Sequence, residues 1–175
     1  MSATALFKPY AMFHRIGDIT PEYLRSIGVK ALALDADNTL STHHSQTPDD
    51  GVEDWLRSTE KAGIKLIMVS NSKAERVAPF AKKLGLDFTS TACKPLPHEF
   101  LRAARKLGVK RSELAAVGDQ LFTDMLGAHL AGIKGLLVEP IKLESSRGFR
   151  FKRALERPLL KRYKRTVYSK GGTDK

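Results

Sequence analysis

Short apolar runs alternate with amphipathic stretches along most of the chain. Four apolar runs, at 31–35, 64–69, 114–117 and 135–138, predict strands buried on both faces, and a weaker run at 87–93 predicts another. Between them, apolar residues recur every three or four positions, as in helices that cover a core. This alternation of strand and helix predicts an α/β fold with a Rossmann-like parallel sheet and helices on both faces.

Start and stop residues mark the predicted helices. Proline after Thr20 and after Thr47 predicts two helix starts, because proline fits the first helical turn. The pattern Ser72-x-x-Glu75 predicts a capping box for the next helix, which Pro79 is expected to kink or shorten. The predicted helices run from 21 to 27, 48 to 62, 73 to 84, 97 to 107 and 121 to 131.

The strand at 31–35 runs directly into two carboxylates, Asp35 and Asp37. Strand side chains alternate between faces, so both carboxylates can converge only if the strand ends near Asp35 and the backbone then turns. Carboxyl ends of parallel strands are the usual ligand sites of such folds, and an aspartate there can hold Mg²⁺. A tight turn rich in Asp and Asn, without a ligand, is the alternative for this motif alone.

Polar groups also follow three other predicted strands. Ser70 and Asn71 offer a hydroxyl and backbone N–H groups, which can cradle phosphate oxygens. Lys94 can neutralise a phosphate or an aspartyl nucleophile. Asp119 and Asp124 supply two more carboxylates. The sequence therefore predicts one polar site at the carboxyl ends of four strands.

The order and spacing of these four motifs resemble those of the haloacid dehalogenase-like (HAD) phosphatases. More narrowly, the chain resembles the YqeG family of HAD subclass IIIA, which includes phosphatidylglycerophosphatases. The resemblance covers roughly residues 5 to 165 and implies a HAD-type fold. The motifs that carry it are Asp35-Ala-Asp37-Asn-Thr39, Ser70-Asn71, Cys93-Lys94-Pro95 and Gly118-Asp119-Gln-Leu-x-Thr-Asp124.

The resemblance implies a phosphomonoester hydrolase that acts through an aspartyl phosphate. Asp35 is the expected nucleophile, and Asp37 is the expected proton donor and acceptor. Ser70, the Asn71 amide and Lys94 are expected to bind the transferring phosphate oxygens.

Mg²⁺ is the cofactor that the resemblance implies. Its expected ligands are Asp35, the backbone carbonyl of Asp37, and Asp119, with Asp124 as an anchor behind them. The expected substrate is phosphatidylglycerophosphate, which would be dephosphorylated to phosphatidylglycerol in phospholipid synthesis. Another phosphoester (a nucleotide, sugar phosphate or phosphoprotein) and a role in binding RNA or ribosomes remain alternatives.

The segments between the motifs are too short for a cap domain. Residues 40–63 hold one loop and one predicted helix, and residues 72–87 hold one helix. An open site cannot enclose a small molecule, so selectivity is expected from a partner surface, an oligomer or a macromolecular or lipid-bound substrate. The loop 41–46 is the nearest part to a gate, and we expect His43 and His44 in it to be exposed to solvent.

The positive charge is concentrated at the carboxyl end. The chain carries +11 overall, and residues 142–175 hold 12 of its 30 Lys+Arg but only 3 of its 19 Asp+Glu. We predict a phosphatase domain over 1–141 and a basic extension over 142–175, where Pro158 is expected to interrupt a continuous helix. The extension suits an anionic membrane surface, at about 1 kcal/mol per basic residue. A nucleic-acid backbone or a solvated tail are the alternatives.

Composition indicates the compartment. The single cysteine excludes an internal disulfide framework and suits a reducing compartment, and Cys93 is expected to be a small buried residue. Uninterrupted apolar stretches fall short of the roughly 18 residues of a membrane-spanning helix, and the first residues lack a secretory pattern. We expect a cytoplasmic protein that can attach peripherally to the inner face of the membrane.

Overall fold

A parallel sheet of six strands forms the centre of the structure, a computed structural model that describes residues 3–142 and 147–167. The strands are β1 (Ala11–Phe13), β2 (Ala31–Leu34), β3 (Lys65–Val69), β4 (Asp87–Thr89), β5 (Leu114–Gly118) and β6 (Lys134–Val138). Their order across the sheet is β1-β6-β5-β2-β3-β4, and every neighbouring pair is parallel. The central strand β2 therefore lies between the next strand along the chain and β5, at a reversal of strand order where ligands usually bind.

Helices cover both faces of the sheet. They are α1 (Pro21–Ser26), α2 (Val52–Lys61), α3 (Ala74–Leu84), α4 (His98–Leu107), α5 (Leu126–Ala131) and α6 (Arg147–Val167). Successive strand side chains point to opposite faces, so Leu32 and Leu34 pack into one core with residues of α2, α3 and α6. Ala31 and Ala33 pack into the other core, with α4 and α5. The predicted two-sided α/β arrangement is confirmed.

Two strands differ from the prediction. β4 ends at Thr89, although the apolar pattern extends to residue 93. β1 was not predicted, because its three apolar residues form too short a run to indicate a strand without its partner. It gains its place by pairing with β6, where Ala11 lies opposite Leu136 and Phe13 opposite Val138.

One predicted helix start and one predicted helix cap are wrong. α2 begins at Val52 and not at Pro48, which lies in the preceding loop. The Ser72 hydroxyl does not cap α3 but lies 3.4 Å from the Asp37 carboxylate. Pro79 does not shorten α3, which continues through it.

The predicted interruption at Pro158 is also wrong, because α6 is continuous. Proline has no N–H group to donate to the carbonyl four positions earlier, which belongs here to Ala154. Because Pro158 and Ala154 are both exposed, water can bond that carbonyl instead. The opposite side of α6 packs on the core, where Glu156 and Tyr163 are buried. The side chains of Arg150, Lys152 and Arg153, which contribute to the predicted basic surface, lie outside the described residues. In the described parts of the chain, the helices are too short or too polar to cross a membrane.

The segments that could carry a cap domain are short loops. Residues 35–51 contain only an isolated bridge between Asp37 and Ser41, and residues 70–73 join β3 to α3. The carboxyl edge of the sheet is therefore open at β2 and β3, as predicted.

Candidate active site

A tight turn follows β2 and presents the first motif. The Asp35 N–H donates to the Val117 carbonyl at 2.9 Å, which continues the pairing of β2 with β5 for one residue. The chain then folds back, because the N–H groups of Leu40 and Ser41 both donate to the Ala36 carbonyl. Asn38 takes φ +59° in this turn, a conformation that asparagine tolerates better than most residues. Asp35 is thereby held at the end of the central strand.

Lys94 joins two carboxylates at the base of the site. Its Nζ donates to Asp35 Oδ1 at 2.5 Å and to Asp124 Oδ1 at 2.7 Å. All three side chains are less than a tenth exposed. Buried charges of this kind need partners of opposite charge, because an unpaired charge in the interior is costly.

Three carboxylates, those of Asp35, Asp119 and Asp124, form a cluster with oxygen atoms within 4.8 Å of one another. One lysine ammonium cannot neutralise three buried carboxylates. Hard oxygen donors in this number suit a divalent cation such as Mg²⁺. The residues present therefore fit the ion that the sequence predicts.

The electrostatics of the cluster favour a charged lysine. Burial raises the pKa of Asp35 to about 7, with the Asp124 charge adding to the rise and Lys94 opposing it. Burial alone would lower the pKa of Lys94, but the Asp124 and Asp35 carboxylates raise it above its ordinary value. Lys94 therefore remains an ammonium group between its two partners.

The second motif positions Lys94 through its backbone. The Asn71 side-chain amide donates to the Lys94 carbonyl at 3.2 Å, and its oxygen accepts from the Lys94 N–H at 2.7 Å. Ser70 is buried and its hydroxyl accepts from the Ser72 N–H. Cys93 precedes the lysine with φ +53° and is exposed, so the prediction of a small buried residue is wrong.

Asp37 is paired with an arginine that sequence analysis did not identify. Arg76 Nη1 donates to Asp37 Oδ2 at 2.7 Å, and Nη2 donates to the other oxygen of the same carboxylate. Burial acts to raise the pKa of Asp37, but the Arg76 guanidinium holds it below its ordinary value. The sequence signal was weak: Arg76 lies four positions after Ser72, the spacing of one turn in the helix predicted to start there.

Two histidines flank the same carboxylate. The His44 N–H donates to Asp37 Oδ1 at 3.2 Å, and His43 Nδ1 lies 3.3 Å from that oxygen. His44 is exposed as expected, whereas the His43 side chain is only 29% exposed. The loop therefore contributes to the environment of Asp37.

The fourth motif depends on a glycine. A Cβ atom at Gly118 would overlap the Asp124 side chain. Without it, Asp124 can approach the backbone and accept from the Gln120 N–H at 3.2 Å while it contacts Lys94. Asp119, the other carboxylate of this motif, is buried.

A second unpredicted residue lies behind this loop. Glu156 of α6 accepts from the backbone N–H groups of Leu121 and Phe122. Glu156 is the one acidic residue in the sequence between 147 and 167. This single acid among many cations was the one feature of the sequence that could have indicated a specific role for it.

The structure thus brings four predicted residues into one buried cluster: Asp35, Lys94, Asp119 and Asp124. Ser70 and Asn71 lie at the adjoining end of β3, and Asn71 contacts the Lys94 backbone. The Asp37 carboxylate is directed at Arg76.

Known proteins resemble this chain in sequence. The sequence pattern of the haloacid dehalogenase-like hydrolases matches residues 22–132. The chain is 37% identical to the probable phosphatase YqeG of Bacillus subtilis over 161 residues. The aligned residues make up 91% of this chain and 92% of that protein.

Solved structures support the fold. An uncharacterised protein from Listeria monocytogenes superposes with a TM-score of 0.55 at 18% identity, over 68% of this chain and 84% of that one. CbbY of Rhodobacter sphaeroides, solved with xylulose-1,5-bisphosphate, superposes with a TM-score of 0.51 at 15% identity, over 64% and 86% of the two chains. With the sequence matches over most of its length, the chain belongs to the haloacid dehalogenase-like hydrolase family and is a phosphatase.

Proposed function

We propose that this phosphatase is a Mg²⁺-dependent phosphomonoester hydrolase that forms an aspartyl phosphate on Asp35. The observation that carries the proposal is the position of Asp35 at the end of the central strand, 2.5 Å from the Lys94 ammonium and clustered with two further carboxylates. A buried carboxylate of this kind can be a nucleophile when its surroundings also neutralise the phosphate that it attacks.

Two carboxylates share the chemistry. An Asp35 oxygen forms a bond to phosphorus while the bond from phosphorus to the ester oxygen breaks, and Asp37 protonates the leaving alkoxide. In the second step water attacks the acyl phosphate, Asp37 takes the proton of that water, and inorganic phosphate leaves Asp35 free. Ser70, Asn71 and Lys94 bind the transferring oxygens.

Asp35, the backbone carbonyl of Asp37, and Asp119 would hold Mg²⁺, and Asp124 would anchor Lys94 beside them. When bound, the ion supplies positive charge that lets a carboxylate approach a phosphate dianion.

The contact between Arg76 and Asp37 bears on the first step. Paired as in this structure, Asp37 is a carboxylate and suits the role of base. Proton donation requires that Arg76 release it, so we expect a bound substrate to draw the guanidinium away.

We propose phosphatidylglycerophosphate as the substrate. The open carboxyl edge of the sheet admits a headgroup that remains attached to a surface. α6 offers that surface exposed apolar residues, with Phe151 68% and Leu155 50% exposed, beside the exposed cations Lys161 and Arg162. In this proposal the protein works in the cytoplasm, peripherally bound to the inner face of an anionic membrane.

The test compares turnover of phosphatidylglycerophosphate in mixed micelles with that of soluble esters: a nucleotide, a sugar phosphate and a phosphopeptide. We expect kcat/KM for the lipid to be about 100-fold higher or more, a difference of about 2.7 kcal/mol in transition-state binding. The Asp35→Asn variant controls for contaminating phosphatases. A soluble ester turned over as well as the lipid would contradict the lipid assignment and leave the phosphatase chemistry intact.

A further inference from the structure

One buried carboxylate connects the basic helix α6 to the loop of the fourth motif. Glu156 has no exposed surface, and its Oε1 accepts from the N–H of Leu121 at 2.9 Å and from the N–H of Phe122 at 3.3 Å. Its neighbour Arg157, by contrast, is exposed. The Glu156 side chain therefore points into the protein. The other charged residues of the same helix are all Lys or Arg.

The two N–H groups belong to the start of a helical segment. A π-helical turn over Leu121–Met125 follows β5 and continues into α5. The first N–H groups of a helix have no partner within it and carry partial positive charge, so a carboxylate there stabilises the segment. Leu121 is buried and Phe122 half-buried, so the carboxylate takes the place that water would have at a surface.

The same turn carries the anchor of the catalytic lysine. Asp124 lies within it and accepts from Lys94 Nζ at 2.7 Å, while Lys94 also contacts Asp35 at 2.5 Å. A second Asp124 oxygen accepts from the Gln120 N–H at 3.2 Å, directly before the turn. A shift of the turn therefore displaces Asp124 and, with it, the lysine that faces the nucleophile.

We propose that Glu156 is a positioning residue of the phosphatase, and that α6 is thereby part of its catalytic machinery. In this role Glu156 acts through the backbone of the turn and not on the substrate. It fixes the first turn after β5, which sets Asp124 and Lys94 against Asp35. This inference rests on phosphatase activity and is independent of the proposed lipid substrate.

The test uses the full chain with p-nitrophenyl phosphate as a soluble substrate and Mg²⁺ as the metal. Glu156→Ala removes the acceptor, and we expect kcat to fall about 10- to 100-fold, as for other residues that orient a catalytic group, with KM little changed. Glu156→Gln keeps an uncharged oxygen acceptor, so its kcat should lie between those of Glu156→Ala and the wild type. Arg157→Ala, on the exposed side of the same helix, should leave kcat unchanged.

Amide hydrogen exchange of Leu121 and Phe122, measured by NMR without metal, gives a readout that does not depend on activity. We expect exchange to accelerate from the wild type to Glu156→Gln to Glu156→Ala, and to stay at the wild-type rate in Arg157→Ala. Wild-type kcat in a folded Glu156→Ala, or a lowered kcat with unchanged exchange at both amides, would overturn the proposal. If Glu156→Ala does not fold, Glu156→Gln decides, and wild-type exchange at both amides in that variant overturns it.

Discussion

The two aspartates of the first motif pair with different cations, although the Asp37 charge also contributes to the raised pKa of Asp35. Lys94 compensates the carboxylates of Asp35 and Asp124, whereas Arg76 compensates Asp37. Each aspartate of the first motif therefore has its own cation, and the two pKa values shift in opposite directions. Such a divergence is typical of carboxylates with different chemical roles.

Asp35, the proposed nucleophile, is the first residue to test. Asp35→Asn replaces the attacking oxygen with an amide, which does not form an acyl phosphate, so we expect turnover to fall by about a thousandfold or more. Release of inorganic phosphate measures this loss, and acid-quenched wild type should retain phosphate on the peptide that contains Asp35. Asp54→Asn, which alters an exposed carboxylate, is the control. Substantial turnover by Asp35→Asn would exclude the aspartyl-phosphate mechanism.

The pair of Arg76 and Asp37 predicts a pH-dependent stability. Because Arg76 holds the pKa of Asp37 below its ordinary value, the pair stabilises the fold above about pH 4 and loses this effect as pH falls through the lower folded-state pKa. We expect Arg76→Ala to lower the free energy of unfolding by about 1–3 kcal/mol near neutral pH. This deficit should shrink as the pH falls below about 4.

Urea unfolding of the wild type and Arg76→Ala over a range of pH measures the effect. Arg57→Ala is the matched control, because its partner Asp54 is exposed and such pairs contribute about 1 kcal/mol or less. A deficit of equal size at every pH would mean that Arg76 stabilises the fold by packing and not through the Asp37 charge.

At the level of elements, the course of a helix or a turn depends on its surroundings as well as on the local sequence pattern. Pro158 lies inside α6 because its exposed position lets water bond the freed carbonyl. The π-helical turn that follows β5 departs from regular α-helical geometry next to the site, where such turns are common. Gly118 lets this turn begin directly against the end of the strand, since a side chain there would overlap Asp124.

Gly118→Ala should therefore disturb the whole turn. The added methyl group must push Asp124 away from Lys94, so we expect kcat to fall about 10- to 100-fold. Overpacking should also lower the free energy of unfolding by about 1–3 kcal/mol. Gly17→Ala is the control, because a Cβ at Gly17 would meet no atom within 4 Å. Steady-state kinetics and urea unfolding of both variants check this, and wild-type activity in Gly118→Ala would refute the role of the close approach.

For the whole molecule, the two sides of α6 differ in exposure and composition. Its inner side packs on the core through Glu156 and Tyr163, and its outer side carries Phe151, Leu155 and exposed cations. Lys161 and Arg162 are exposed, so we expect their neutralisation to leave the contacts of Glu156 with the turn in place.

We therefore expect neutralisation of Lys161 and Arg162 to weaken binding to anionic vesicles about 30-fold, at about 1 kcal/mol for each cation, and to leave hydrolysis of p-nitrophenyl phosphate nearly unchanged. Vesicle sedimentation at low salt measures binding, and added salt should mimic the variant through screening. A double variant of exposed cations on other helices, Arg57 and Lys82, serves as control. Equal vesicle binding by the wild type and the α6 variant would remove α6 from membrane binding, and retention of RNA by the wild type alone would favour the nucleic-acid alternative.

The sequence by itself determined the parallel α/β sheet and the cluster at its carboxyl edge. Buried strands are continuous apolar runs, and parallel strands bring their carboxyl ends to one edge, so residues such as Asp35 and Asp119 converge without further information. Only the tertiary structure decided the partners of Asp37 and of the turn after β5. Arg76 lies 39 positions from Asp37, and Glu156 lies 35 positions from Leu121. Contacts over such separations depend on how helices dock on the sheet, which involves many residues and leaves no periodic pattern along the chain.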